Sequence, residues 1–146
     1  MAETPITWAL LEALQTQLRN IRRTVGYRTD AGLDVRLEPA QFEADAAPRI
    51  TLYALTTVRP DDARGEGERE VTLVVEALVP VRFDDAQQRI VETMADIEQA
   101  LDGLRLPTLA LPLRFAESVI LDRPDGVPAM AAQQLFVTRF RQGGGR

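Results

Sequence analysis

Two pairs of adjacent carboxylates, Asp61-Asp62 and Asp84-Asp85, are the first places in this chain to look for chemistry. Paired acids can hold a hard cation, but such a site needs roughly four to six oxygen ligands converging in space, and neither pair lies in a calcium-loop pattern. Solvation accounts for the first pair and helix capping for the second. A hydrolase working through two carboxylates would need two acids set apart from the rest, and nothing singles out such a pair. Ser118 is the single serine; it stands between Glu117 and Val119 in an apolar run, not in a Gly-x-Ser-x-Gly elbow. Gly65-Glu66-Gly67 superficially looks like a nucleotide loop. It precedes a strand-like run instead of a helix, however, and the flanking Glu would repel phosphate.

The wider inventory points the same way. The chain has no His, no Cys and no Lys, so its 17 cationic side chains are all Arg, against 22 Asp and Glu. A general base near neutral pH is most often His, covalent catalysis uses Ser, Cys or Lys, and zinc sites are built mainly from Cys and His. Carboxylates, Thr, Tyr and Arg suit surfaces that hold together better than they suit turnover. The expectation is a non-enzyme with no metal and no cofactor. A net charge of −5 argues against general binding of nucleic acid, whose affinity rests on neutralising phosphates. No run of about 18 apolar residues occurs, so no membrane helix is expected. Met1 to Trp8 lack the basic and apolar regions of a secretory leader. The exclusive use of Arg reads either as interface chemistry or as a GC-rich coding sequence, and the second weighs more.

These residues have to be positioned by a domain. A chain of 146 residues can bury roughly 70% of the surface it exposes when unfolded. Thr4-Pro5 is a helix start, with Thr as N-cap and Pro in the first turn. Ile6, Leu10, Leu14, Leu18, Ile21 and Val25 then fall in one stripe about 120° wide, predicting a helix from Pro5 to Arg23. Arg19, Arg22 and Arg23 would sit at its C-terminal end, against the helix dipole or as an anion- or partner-binding patch. Trp8 falls about 140° from the stripe, which predicts either burial beneath a loop or a subunit contact. In Thr29-Asp30-Ala31-Gly32 a turn is expected, with Asp30 bonding the backbone two residues on and Gly32 free to take positive φ.

Leu33 to Glu38 alternate apolar and charged, as a half-buried strand does, and Pro39 ends that strand or leaves it at an edge. After a polar loop from Ala40 to Pro48, Ile50 to Val58 read as a second strand. The run from Arg59 to Glu70 is too polar to order itself and reads as a mobile hairpin arm. Val71 to Val81 is the best strand, with Val71, Leu73, Val75, Ala77, Val79 and Val81 on one face. Val74 and Leu78 add apolar character to the other face, predicting a central strand covered on both sides in the assembled form. Asp84-Asp85 should cap a second helix with the stripe Ala86, Ile90, Met94, Ile97 and Leu101, and Gly103 should stop it. Its opposite face carries Glu92, Asp96 and Asp102. Leu113 to Leu121 and Ala132 to Arg141 read as two more strands around an Asp125-Gly126 turn. The expected fold is one α+β domain over residues 1–141, a mostly antiparallel sheet with two packed helices in the order α-β-β-β-α-β-β. A flexible Gly-rich tail from Gln142 to Arg146 would follow.

The leading helix, the stretch Gly26-Tyr27-Arg28-Thr29-Asp30-Ala31-Gly32 with its continuation to Val35, and the acidic hairpin loop before a long strand together resemble small tail-assembly proteins of long-tailed phages and prophages. The resemblance is to the tail-terminator, or tail-completion, group. It implies a homohexameric ring in the virion, assembled in the bacterial cytoplasm at the head-proximal end of the tail. Such a ring caps the tail-tube protein, ends polymerisation and offers a surface to head-completion proteins, while DNA passes through without specific binding. On that reading Trp8, Arg59, Asp61, Asp62, Arg64, Glu66 and Glu68 are candidates for the subunit or partner interface, and Glu92, Asp96 and Asp102 for an acidic lumen face. Two rival classes stay open. One is another head–tail adaptor or tube-like subunit. The other is a small carboxylate enzyme, which predicts a concave pocket lined by acids with shifted pKa values.

Overall fold

The computed structural model describes residues 2–38, 47–81, 84–121 and 129–142. Its elements are helix α1 (Ile6–Leu18), strands β1 (Val35–Arg36), β2 (Arg49–Val58) and β3 (Glu68–Pro80), helix α2 (Ala86–Leu101), and strands β4 (Arg114–Ile120) and β5 (Ala129–Arg141). The fold is thus α+β in the expected order. The strands form one sheet in the order β1-β2-β3-β5-β4. Only the β1–β2 pair is parallel, and β3 lies at the centre as its apolar sequence requires.

Period-two alternation decides which side of the sheet is core. Val71, Leu73, Val75, Ala77 and Val79 are almost completely buried on the side that carries both helices. Register brings Ile50, Leu52 and Phe136 to the same side, where Phe115 meets Phe136 edge-to-face at 5.7 Å. Leu10, Leu14 and Leu18 of α1 and Ile90, Ile97 and Leu101 of α2 close the core from above. Three Gln amides join the layers to backbone carbonyls: Gln15 Nε2 donates to Val35 at 2.9 Å, Gln17 Nε2 to Ala100 at 3.3 Å, and Gln134 Nε2 to Met94 at 3.0 Å.

On the other side of β3 the shielding within one subunit comes from the sheet itself. Val74 is only 2% exposed, and it is shielded by its cross-strand neighbours Tyr53 and Leu135. Among the described residues no helix lies on that face.

Several boundaries also move, each for a local reason. Pro5 is the N-cap of α1 and its carbonyl accepts from Ala9 N–H at 3.0 Å, so the helix starts one residue later than Thr4-Pro5 suggested. It stops at Leu18 rather than Arg23, because the turn at Gly32 packs against its end. A Cβ on Gly32 would stand 2.6 Å from the Arg19 carbonyl oxygen and 2.7 Å from that of Leu18. Gly32 is therefore required for close approach, not for positive φ, which Gly26 and Gly103 adopt instead. Ile21 still reaches the core through a tighter turn, whereas Val25, moved into a 3₁₀ turn, is 63% exposed. Leu33 likewise lies in a 3₁₀ turn (Ala31–Leu33) and is exposed, which shortens the first strand to Val35–Arg36 at the sheet edge. Pro39 and the turn around Asp125-Gly126 fall outside the described residues.

Candidate functional site

β2 pairs with β1 only at Ile50 and Thr51, a register shift follows at Ala54/Thr56, and every β2 residue from Ala54 onward is exposed. The hairpin therefore runs beyond the helical layer. It is not the loose arm its polarity suggested. Ala63 N–H donates to the Pro60 carbonyl at 3.1 Å, and Gln142 N–H to the Gly67 carbonyl at 2.7 Å. Arg69 Nη1 donates to the Glu66 carbonyl at 2.6 Å. Gln142, expected to begin a flexible tail, is thus tied to the root of the arm.

The organising residue is Arg139 of β5. Its guanidinium contacts Asp62 at 2.8 Å, Glu68 at 3.1 Å and Glu70 at 3.2 Å. The Arg139 hydrogen bond, then its charge, holds the Asp62 carboxyl below the usual carboxylate range. Of the arm residues proposed from sequence, Arg59, Asp61, Arg64 and Glu66 are exposed, and Asp62 is exposed but paired. Glu68 is a correction: it is the first residue of β3, 5% exposed and already engaged by Arg139. Trp8 lies on a separate element, α1, and is 38% exposed, so it is not sheltered beneath a loop. Arg139 and Glu70 went unseen in the sequence reading. The signal was there in Glu68 and Glu70 spaced by two opposite Arg139 and Arg141 spaced by two, the pattern of cross-strand ion pairs.

The acidic face proposed for α2 does not exist as drawn. Asp96 is completely buried. Its Oδ2 accepts from Thr29 N–H and Thr29 Oγ1–H, both at 2.8 Å, and its Oδ1 from Arg28 N–H at 3.1 Å and Arg28 Nη1 at 3.0 Å. It is the anchor of the Gly26 to Gly32 stretch, and it points away from solvent because the preceding turns fold over α2. Glu92 is half-buried, and Asp102 is exposed but accepts from Phe115 N–H at 2.9 Å.

The same stretch redefines its neighbours. Thr29, not Asp30, bonds the backbone two residues on, accepting from Ala31 N–H at 3.3 Å. Asp30 accepts from Arg23 N–H at 2.8 Å, and Arg23 Nε donates to the Arg28 carbonyl at 3.1 Å. Because α1 ends early, Arg22 and Arg23 serve this loop and not the last helical turn. Asp85 caps α2 through its backbone position, while its side chain bonds Arg89 Nε at 2.7 Å. That hydrogen bond holds the Asp85 carboxyl low.

Open clefts among the described residues include one of about 370 Å³ beside Arg139 and the Leu111–Leu113 segment, one of about 350 Å³ beside Asp30, Arg89 and Glu92, and a shallower one of about 410 Å³ beside Arg28, Glu98 and Asp102. The acids held low, Asp62 and Asp85, line none of these, and they belong to opposite ends of β3. On the far sheet face, burial first and the Glu76 carboxylate second push the Tyr53 phenol up. Gln133 Nε2 lies between them, 3.3 Å from Tyr53 Oη and 3.1 Å from Glu76. The end of β4 and the residue after it are also exposed, with Val119, Ile120 and Leu121 at 42%, 38% and 37%.

No protein-family model matches the chain, and no curated protein matches it. Solved structures do. A chain from the virion of a native gene transfer agent particle superposes with a TM-score of 0.68 at 16% identity, over 95% of this chain and 100% of that one. This chain shares its fold with a virion protein. A second solved chain is similar at a TM-score of 0.52 and 13% identity, covering 94% of this chain and 97% of the other.

Proposed function

We propose that this protein is a structural subunit of a phage-like virion, acting as a tail terminator: a ring that caps the tail tube, ends its polymerisation and presents the head-joining surface. The observation that carries the proposal is the end-to-end likeness to a virion chain, which leaves no large segment of either chain over. The open surfaces of the subunit support it. One edge of the sheet exposes an apolar strand end at Val119 to Leu121, and the other exposes the tip of β2 with Leu55 and Val58. These patches are not alike, so a contact between them is heterologous, the kind that closes into rings when the rotation allows. The subunit's partners on this reading are its own copies, the tail-tube protein and a head-completion protein, with its place in the virion at the head-proximal end of the tail. Its net charge of −5 suits a channel wall that lets DNA slide past without gripping phosphate. Trp8 and the exposed arm residues Arg59, Asp61, Arg64 and Glu66 are the contacts proposed for neighbours.

Native mass spectrometry with negative-stain imaging tests this, on the protein alone and mixed with its tail-tube protein. Closed rings, six subunits in the reading preferred, are expected. A species that stays monomeric in both conditions would rule the ring out.

A further inference from the structure

The arm's tip and its root are held by different means. At the root, Glu68 and Glu70 belong to β3, and the Gly67–Gln142 backbone contact continues the β3–β5 pairing. At the tip, Asp62 reaches across to β5 through Arg139. The members of this cluster are unequally exposed: side-chain exposure is 77% for Asp62, 19% for Arg139, 31% for Glu70 and 6% for Glu68.

We propose that Arg139 is a clasp, held in place from β3 by Glu68 and Glu70, whose contact with Asp62 sets the pose of the arm and is the one exchanged when a basic partner docks. The direction of exchange follows from access and charge. A partner's carboxylate would have to approach a mostly covered guanidinium already flanked by two carboxylates, which repel it. A partner's guanidinium or ammonium meets Asp62 from open solvent, and the resident cation it must displace there is Arg139, whose Nη2 lies 2.8 Å from the Asp62 carboxylate. An exposed pair of this kind is weak enough to break, whereas Glu68 stays because leaving it buried and unpaired is costly. The clasp therefore opens at Asp62 while Arg139 remains seated. This holds for a single subunit and does not depend on ring formation.

Trypsin reads the arm directly, since Arg64 within it and Arg69 beside it are cleavage sites, whereas the Arg59–Pro60 bond resists cleavage. Cleavage after Arg64 should be roughly two- to five-fold faster in Asp62→Asn than in the native chain, and near native in Asp62→Glu. Hydrogen exchange across Val71 to Val79 should be unchanged in both, showing that the sheet is intact. Equal cleavage of Asp62→Asn and native protein would overturn the clasp. A hexa-arginine peptide should speed hydrogen exchange of residues 61–67 in the native chain and add nothing in Asp62→Asn. No acceleration in the native chain would overturn release by a cation. Because both measurements are made on the free subunit, their failure leaves the ring proposal standing, and the reverse also holds.

Discussion

At the scale of single residues, the side chain that matters most to this fold is one that sequence reading assigned to the surface. Asp96 faces four donors from Arg28 and Thr29, two of them backbone N–H groups that nothing else is seen to satisfy. Asp96→Ala should therefore cost roughly 2–4 kcal/mol, the loss of a buried charged acceptor less what half-exposed Arg28 regains from water. Urea denaturation checks this, and a cost below about 0.5 kcal/mol, ordinary for a surface position, would show that the carboxylate does not anchor the loop. Gly32 is the other critical residue. Gly32→Ala drives a methyl into two backbone carbonyls, which cannot swing aside as a side chain end would. A loss of roughly 1–3 kcal/mol is expected, read as a lowered melting temperature. The helical wheel at Asp96 and the turn argument at Gly32 failed for one reason. A helical wheel places Asp96 opposite the stripe, but it knows nothing of a loop that returns from the end of α1 to cover that face.

At the scale of elements, the order, the central strand and the core stripes were legible because each rests on a period, 3.6 or 2, sustained over many residues. Leu10, Leu14 and Leu18, and the alternation from Val71 to Val79, are cases where local pattern and tertiary burial agree. What was not legible depends on pairs distant in sequence: where α1 stops, which depends on Gly32, and what fixes the arm, which depends on Arg139. The arm also gives a pH prediction whose sign can be worked out. Asp62 and Asp85 are both held below their ordinary values by an Arg hydrogen bond, so the unfolded chain binds more protons in the window between the two states. Their contribution to stability is present above the unfolded carboxylate pKa of about 3.9 and is lost as pH falls through the folded values. Melting temperature followed from pH 6 downward should fall in that acid window, and fall less in Asp62→Asn. Carbon NMR titration of the two carboxyls should give midpoints below those of free Asp. A midpoint at or above the free value would contradict the pairing.

At the scale of the whole molecule, the question is why, among the described residues, both helices cover the same face of the sheet. Both helices lie on one face, and on the other Tyr53, Glu76 and Gln133 form a polar strip between apolar neighbours. The sheet's two sides end in unlike edges, a two-residue β1 beside the bare tip of β2, and the whole outer edge of β4. Exposed edges invite pairing, and proteins that must stay single blunt them with charge, Pro or bulges. Here the bulged tip of β2 is partly blunted, while the last residues of β4 carry no charge. If subunits join there, a charge on that edge should stop assembly without harming the fold. Val119 faces outward beside Gln133, so Val119→Lys should change stability by no more than about 0.5 kcal/mol, the usual range for an exposed position. Native mass spectrometry of this variant should show monomers with an unaltered circular dichroism melt, under conditions where the native chain gives rings. Rings of native stoichiometry in Val119→Lys would remove β4 from the interface and move the search to Trp8 and the arm, since a lysine at the centre of a strand-to-strand contact would leave a buried, unpaired charge.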